Sequence, residues 1–206
     1  MKHAACLIFL GCPSIWAKYN PPSIEYLAGN ADVIALGEIV ELNRKTFVLR
    51  VDRLIIGDSQ ITHLKINRFK DWTCAHRWKP YRKGQREIVF VKRSDQTING
   101  EPIYKLMSAG DEAEWEVRGT LVYSLGFRMP DTEKVGESEH PGQILDLENL
   151  IHALTHYRSY FKFITSDDNE PWKYEIQVIG TAEAIKAYSD QSPLHAYMVA
   201  QSHPRS

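Results

Sequence analysis

Thr46-Phe47-Val48-Leu49-Arg50-Val51-Asp52-Arg53-Leu54-Ile55-Ile56 is the stretch on which the fold turns. Phe47, Leu49 and Val51 alternate with Val48, Arg50 and Asp52. Successive side chains of an extended chain point to opposite faces, so this pattern predicts a long half-buried strand. Gly57-Asp58-Ser59 ends it. Upstream, the polar turn Asn43-Arg44-Lys45 separates it from Val33-Ile34-Ala35-Leu36-Gly37-Glu38-Ile39-Val40, a second strand in which Gly37 marks a bulge or sharp bend. Downstream, His63-Leu64-Lys65-Ile66-Asn67-Arg68 alternates cleanly, and Glu87-Ile88-Val89-Phe90-Val91-Lys92 has the apolar run of a central strand. Pro102-Ile103-Tyr104-Lys105-Leu106 and Thr120-Leu121-Val122-Tyr123 supply a fifth and a sixth. Six short strands with turn signals between them predict a small barrel or sandwich.

Helices flank these strands. Pro21-Pro22-Ser23 leads into Ile24-Glu25-Tyr26-Leu27-Ala28, with Ser23 as N-cap and Gly29-Asn30 as the stop. Residues 129–142 carry little apolar content and no period, which predicts a linker or exposed loop. Beyond it Leu147, Leu150, Ile151, Leu154, Arg158 and Phe161 fall at helical spacing and predict an amphipathic helix from residue 146 to about 163. Residues 181–188 and 192 to about 201 read as two further helices, while 172–179 is open between strand and helix. The expected class is therefore α+β: a mainly β barrel over 18–128 and a mostly helical extension over 143–206.

At 206 residues, with 43% hydrophobic and 25% charged side chains and a net charge of −1, the composition is that of a soluble globular chain and excludes a disordered tail or a multi-span membrane protein. Residues 1–17 form a short basic start (Lys2, His3), an apolar stretch through Cys12, and small Ala17 before the break. This is the pattern of a secretory signal, and it places the mature chain in the periplasm or outside the cell. A buried first strand and a lipoprotein acylated at Cys12 are the alternatives. The apolar run is far shorter than the roughly 20 residues of a membrane anchor. Removal of the signal leaves Cys74 alone, either as a buried small hydrophobe or as one half of an intermolecular disulfide.

Several short motifs resemble the tissue inhibitors of metalloproteinases and the bacterial relatives that share their netrin-like OB barrel. Asn30-Ala31-Asp32-Val33 before the first strand, Gly37-Glu38-Ile39-Val40 at its end, and Phe47 to Ile56 followed by Gly57 are similar to that family. So is Gly84-Gln85-Arg86-Glu87-Ile88-Val89-Phe90-Val91, against the family's Gly-x-x-Tyr-Leu-Val-Phe strand. The resemblance spans about residues 18–110 and implies an OB-type barrel, with Cys74 at the position of the cysteine that ties down the N-terminus. It also implies metalloprotease inhibition through a mature N-terminal cysteine that chelates the protease zinc. The corresponding position here carries Lys18-Tyr19-Asn20.

No catalytic motif is present: no phosphate loop, nucleophile elbow, His-Glu-x-x-His or Cys-x-x-Cys. The expected function is accordingly a non-enzymatic binding or inhibitor-like module that uses no cofactor or metal, the alternative being a hydrolase with a dispersed site. Residues 64–94 hold ten Lys and Arg against two acids, a local charge of +8, with aromatic rings interleaved. Trp72, Arg77, Trp78, Lys79, Tyr81 and Arg82 are the expected ligand contacts. Their partner would be a protein or an anionic glycan or lipid surface; export argues against nucleic acid. A solvated loop would read the same way. Residues 111–149 carry ten acids against three basic residues, so the two segments can face one another or a second copy. His152 and His156 sit four apart on the predicted helix and could share a metal, but no third ligand lies nearby in sequence. Glu114 and Glu116 would share a strand face as paired carboxylates, with Trp115 between them turned into the core.

Overall fold

The alternation over 46–56 closes a barrel. The computed structural model describes residues 21–72, 75–98, 100–108, 112–125, 129, 140, 142–165 and 174–203. The predicted signal over residues 1–17 with Cys6 and Cys12, and likewise Cys74 and most of 129–142, lie outside the described residues. Five strands form the ring: β1 (Val33–Leu42), β2 (Thr46–Ile56), β3 (His63–Asn67), β4 (Arg86–Ile98) and β5 (Glu101–Leu106). β1 pairs antiparallel with both β2 and β4, β2 with β3, and β4 with β5, while β3 and β5 run parallel and complete the circle. This connectivity is compatible with the five-stranded OB-type barrel.

The second edge of β4 is divided. Its first half pairs with β6 (Glu114–Arg118), and its second half pairs with β5. The changeover falls at Phe90, whose N–H bonds to the Ala113 carbonyl and whose carbonyl accepts from Met107. From β6 the sheet continues outward through β7 (Leu121–Ser124) to β8 (Gln143–Asp146). Gly37 sits at a register shift against β2, as its position predicts, and a Cβ there would lie 2.2 Å from the Arg50 carbonyl oxygen.

Alternation sorts the apolar residues into two cores. Val33, Ala35 and Ile39 of β1, Val89 and Val91 of β4, with Phe47, Leu49, Leu64, Ile66 and Tyr104, fill the barrel. Ile34, Leu36, Ile88 and Phe90 face the other way, against Trp115, Val117, Val122 and Leu145 and the helices. β1 and β4 are therefore covered on both faces, which explains their near-continuous apolar runs. The covering helices are α1 (Ile24–Asn30), α2 (Leu147–Tyr157), α3 (Ala182–Ser189) and α4 (Pro193–Ser202). Asp146, Thr181 and Ser192 cap the last three through side-chain oxygens that accept from Asn149, Ala184 and His195 N–H groups. None of these helices is long and apolar enough to cross a membrane.

One sequence expectation needs correction. The helix from 146 to about 163 stops at Tyr157, and Phe161 and Phe163 belong to β9 (Phe161–Thr165), paired with β10 (Tyr174–Val178). Phe161 satisfies the helical period because it stays buried and stacks on Tyr157 at 5.1 Å, but it does so from an extended strand. The stretch past 142 carries three of the four helices and also contributes β8 to the main sheet and this β9–β10 ribbon.

Candidate functional site

The connection from β3 to β4 folds back over one end of the barrel and carries the basic run. Its centre is Arg77, whose side chain is only 9% exposed. Glu87 occupies the same face of β4 as Val89 and Val91, and Glu114 on β6 stands directly opposite Val89. Both carboxylates have fully buried side chains. Arg77 Nε donates to Glu114 at 2.8 Å, one terminal nitrogen donates to Glu87, and the other donates to the Lys79 carbonyl. The Tyr81 hydroxyl lies 2.7 and 2.9 Å from the two Glu114 oxygens and accepts from the Phe69 N–H. Gln85 donates to Glu87 at 2.8 Å. One guanidinium thus serves two carboxylates in a space closed to water. Burial, then repulsion from Glu114, pushes the Glu87 carboxyl up to about 8 despite Arg77. Burial opposes the charge on Arg77, but Glu114 and Glu87 outweigh it and raise its pKa.

Above this plug lies a cavity of about 420 Å³. Arg44, Arg68, Lys70 and Arg77 line it against a single carboxylate, Asp71, with Phe69, Pro80 and Tyr81 as walls. Each wall has a local cause. The Asn43 side chain accepts from the Lys45 and Thr46 N–H groups and tightens the β1–β2 turn that presents Arg44. Arg68 donates to the Asn43 carbonyl at 2.8 Å, and its Nε–H is buried without a hydrogen-bond partner. Arg68 and Arg77 also lie 4.6 and 3.7 Å from the centre of the Tyr81 ring. The cavity size suits a single sugar or headgroup, and its donors suit carboxylate, sulfate or phosphate.

The six expected contacts do not form one surface. Arg77 and Tyr81 line the cavity from within the polar plug. Trp78 is half-buried away from it, stacked on Tyr123 at 5.8 Å and edge-on to His140 at 4.5 Å, with the Lys79 ammonium 4.3 Å from its ring. Arg82 is exposed and pairs with Glu116 at 3.5 Å. Trp72, next in the chain after Asp71, is 41% exposed. Cys74 lies outside the described residues.

The opposed charge segments do meet in part: Arg77 reaches Glu114, and Arg82 and Arg118 reach Glu116. Burial works against the Glu116 charge, yet the Arg118 hydrogen bond and the nearby cations hold its pKa below the usual value. Glu114 and Glu116 share a face, as expected, but each is held by cations rather than poised beside a substrate space. Trp115 is fully buried, also as expected, and its Nε1–H bonds to the Glu112 carbonyl. Sequence reading missed Arg44, Glu87 and Gln85 as parts of the site. Arg68 and Lys70 were visible only as members of a charge run. Comparison with known proteins finds no matching family model, no matching curated protein and no matching solved structure.

Proposed function

We propose that the chain is an exported, non-enzymatic binding module on a netrin-like OB barrel, and that it holds an anionic group of a glycan or lipid surface in the cavity above Arg77. The observation that carries the reading is the cavity itself: Arg44, Arg68 and Lys70 line it against one carboxylate, Asp71, and none of the three is ion-paired among the described residues. Its position favours the same reading, since loops at one end of an OB barrel commonly take oligosaccharides and other chain ligands. From the family the reading takes the barrel and not the protease-inhibiting wedge, because Lys18 stands where the wedge cysteine would be.

The test is a titration of the mature chain with an acidic oligosaccharide, with vesicles containing phosphatidylglycerol, with inorganic phosphate and with single-stranded DNA, at low and moderate salt. Saturable binding to the oligosaccharide or the vesicles, at least tenfold weaker in Arg68→Gln and Lys70→Gln, supports the reading. Binding to none of these probes, or binding indifferent to both substitutions, refutes it. Preference for DNA refutes the partner class. Affinity should fall with salt, since exposed charges are screened over about 8–10 Å at 0.1–0.15 M.

A further inference from the structure

We propose that His152 and His156 of α2 and His195 of α4 form a binding site for a first-row transition-metal ion such as Zn²⁺ or Cu²⁺, independent of the cationic cavity. The sequence offers two histidines four apart and no third; the fold brings the third from 43 residues away. His152 Nδ1 lies 3.0 Å from His195 Nε2. Two imidazole nitrogens bound tetrahedrally to one zinc ion at about 2.0–2.1 Å stand about 3.3–3.4 Å apart, so this hydrogen-bonded pair need part by only a few tenths of an ångström to chelate. The His156 ring centre is 4.4 Å from that of His152, on the exposed side of α2.

The surroundings of His195 prepare it as a ligand. It is 1% exposed, and its ring is wedged edge-on against Tyr188 at 4.6 Å. Its Nδ1 lies 2.8 Å from the Ser192 hydroxyl oxygen, which also accepts the His195 backbone N–H as the N-cap of α4. With two lone pairs, that oxygen can accept from Nδ1–H as well, which leaves Nε2 bare and aimed at His152. A partner on the far nitrogen is what fixes the tautomer of metal-binding histidines.

In the metal-free protein one proton, on His152 Nδ1, bridges the two rings. Metal binding moves it to His152 Nε2, with no net release. As the side chains stand, no group of three His, Cys, Asp or Glu among the described residues could hold a metal ion, these three histidines included. His156 therefore turns its ring to complete the set, a rotamer change that an exposed side chain makes at little cost. Imidazole donors without a carboxylate favour zinc, copper or nickel over magnesium or calcium.

The test uses the whole mature chain, stripped with chelator and titrated with Zn²⁺, Cu²⁺ and Mg²⁺ by calorimetry, with thermal melting in parallel. One equivalent of Zn²⁺ or Cu²⁺ binding at micromolar or lower Kd, a raised melting midpoint and no response to Mg²⁺ are expected. His152→Gln and His156→Gln, which leave the buried His195 in place, should each weaken binding at least tenfold, and Ser192→Ala about 10–100-fold. Nitrogen hyperfine structure in the Cu²⁺ spectrum should count three imidazoles. Failure to bind below about 100 μM, or affinity unchanged in either glutamine variant, overturns the proposal.

Discussion

Replacing Arg77 by Ala would strand two carboxylates in the end of the barrel. Glu87 and Glu114 have no exposed side-chain surface, and Arg77 holds both through separate nitrogens. Removing one partner of a buried ion pair costs about 3–5 kcal/mol, because the surviving charge can neither hydrate nor find a substitute. The shift at Glu87 decides where in that range the cost falls. With its carboxyl near 8, Glu87 is largely protonated at pH 7, so the stranded charge is mainly that of Glu114. The lower half, about 3 kcal/mol, is expected at pH 7. The cost grows as Glu87 ionises toward pH 9. Part of the loss is packing, since the guanidinium lies 3.7 Å from the centre of the Tyr81 ring. Arg77→Met retains that apolar stem and separates packing from charge.

The assay is urea unfolding followed by tryptophan fluorescence, with the slope checked for constancy so that a midpoint shift reads as stability. Glu114→Gln in the Arg77→Ala background should recover at least 1 kcal/mol, because the amide needs no counter-charge. The double-mutant cycle isolates the pair. A loss below about 1 kcal/mol, the range of exposed ion pairs, together with no coupling to Glu114→Gln, would refute the reasoning. In that outcome Arg77 is a surface residue and the cavity has no fixed floor.

The other predictions concern neighbouring parts of the same frame. A folded-state pKa raised from 4.5 to about 8 gives Glu87 a contribution that is fully present below pH 4.5 and lost as pH rises through 8. Glu87→Gln should therefore match the wild type near pH 4.5 and exceed it near pH 8.5 by an amount on the order of a few kcal/mol, read from urea midpoints at both pH values. Gly37→Ala places a methyl 2.2 Å from a carbonyl oxygen of the neighbouring strand and should cost about 1–3 kcal/mol in a melting experiment. Asp146→Ala removes the acceptor for the Asn149 N–H and should cost about 1 kcal/mol, with faster amide exchange confined to the first turn of α2.

The barrel was legible because each of its strands announces itself locally. Alternation at Phe47, Leu49 and Val51, a bulge glycine at 37 and a polar turn at 43–45 all concern neighbours in the chain. What the sequence hid is set by distant partners. β8, Gln143–Asp146, showed no strand signal of its own and exists because β7 offers an edge to pair with, while β6 was legible only as the strand face shared by Glu114 and Glu116. The end of α2 was misplaced because Phe161 is apolar at the right interval while buried from a strand instead. Arg77 read as one cation in a basic run, and nothing within ten residues except Glu87 hinted that it turns inward; its other partner lies 37 positions away.

That hidden pairing also changes what the basic run means. Its charge of +8 does not spread evenly over a surface. Arg77, Arg82, Arg86 and Lys92 are ion-paired with Glu87, Glu114, Glu116, Asp52 and Asp32, most of them drawn from other strands. Strand pairing brings those acids to the barrel wall, and they draw the second half of the run down onto it. Arg68 and Lys70, which precede the inward turn at Arg77, make no ion pair among the described residues and meet Arg44 across the cavity. The fold thus divides a run of like charge: Arg77 is neutralised from inside the barrel and forms the cavity floor, Arg82, Arg86 and Lys92 pair with acids outside the cavity lining, and Arg68 and Lys70 face the opening. Asp71, whose Oδ1 accepts the Arg77 backbone N–H at 2.9 Å, offsets one of the three charges of Arg44, Arg68 and Lys70 and leaves two. The local field therefore remains positive in a chain whose net charge is −1, and an anion would be drawn to this end of the barrel rather than to the chain as a whole.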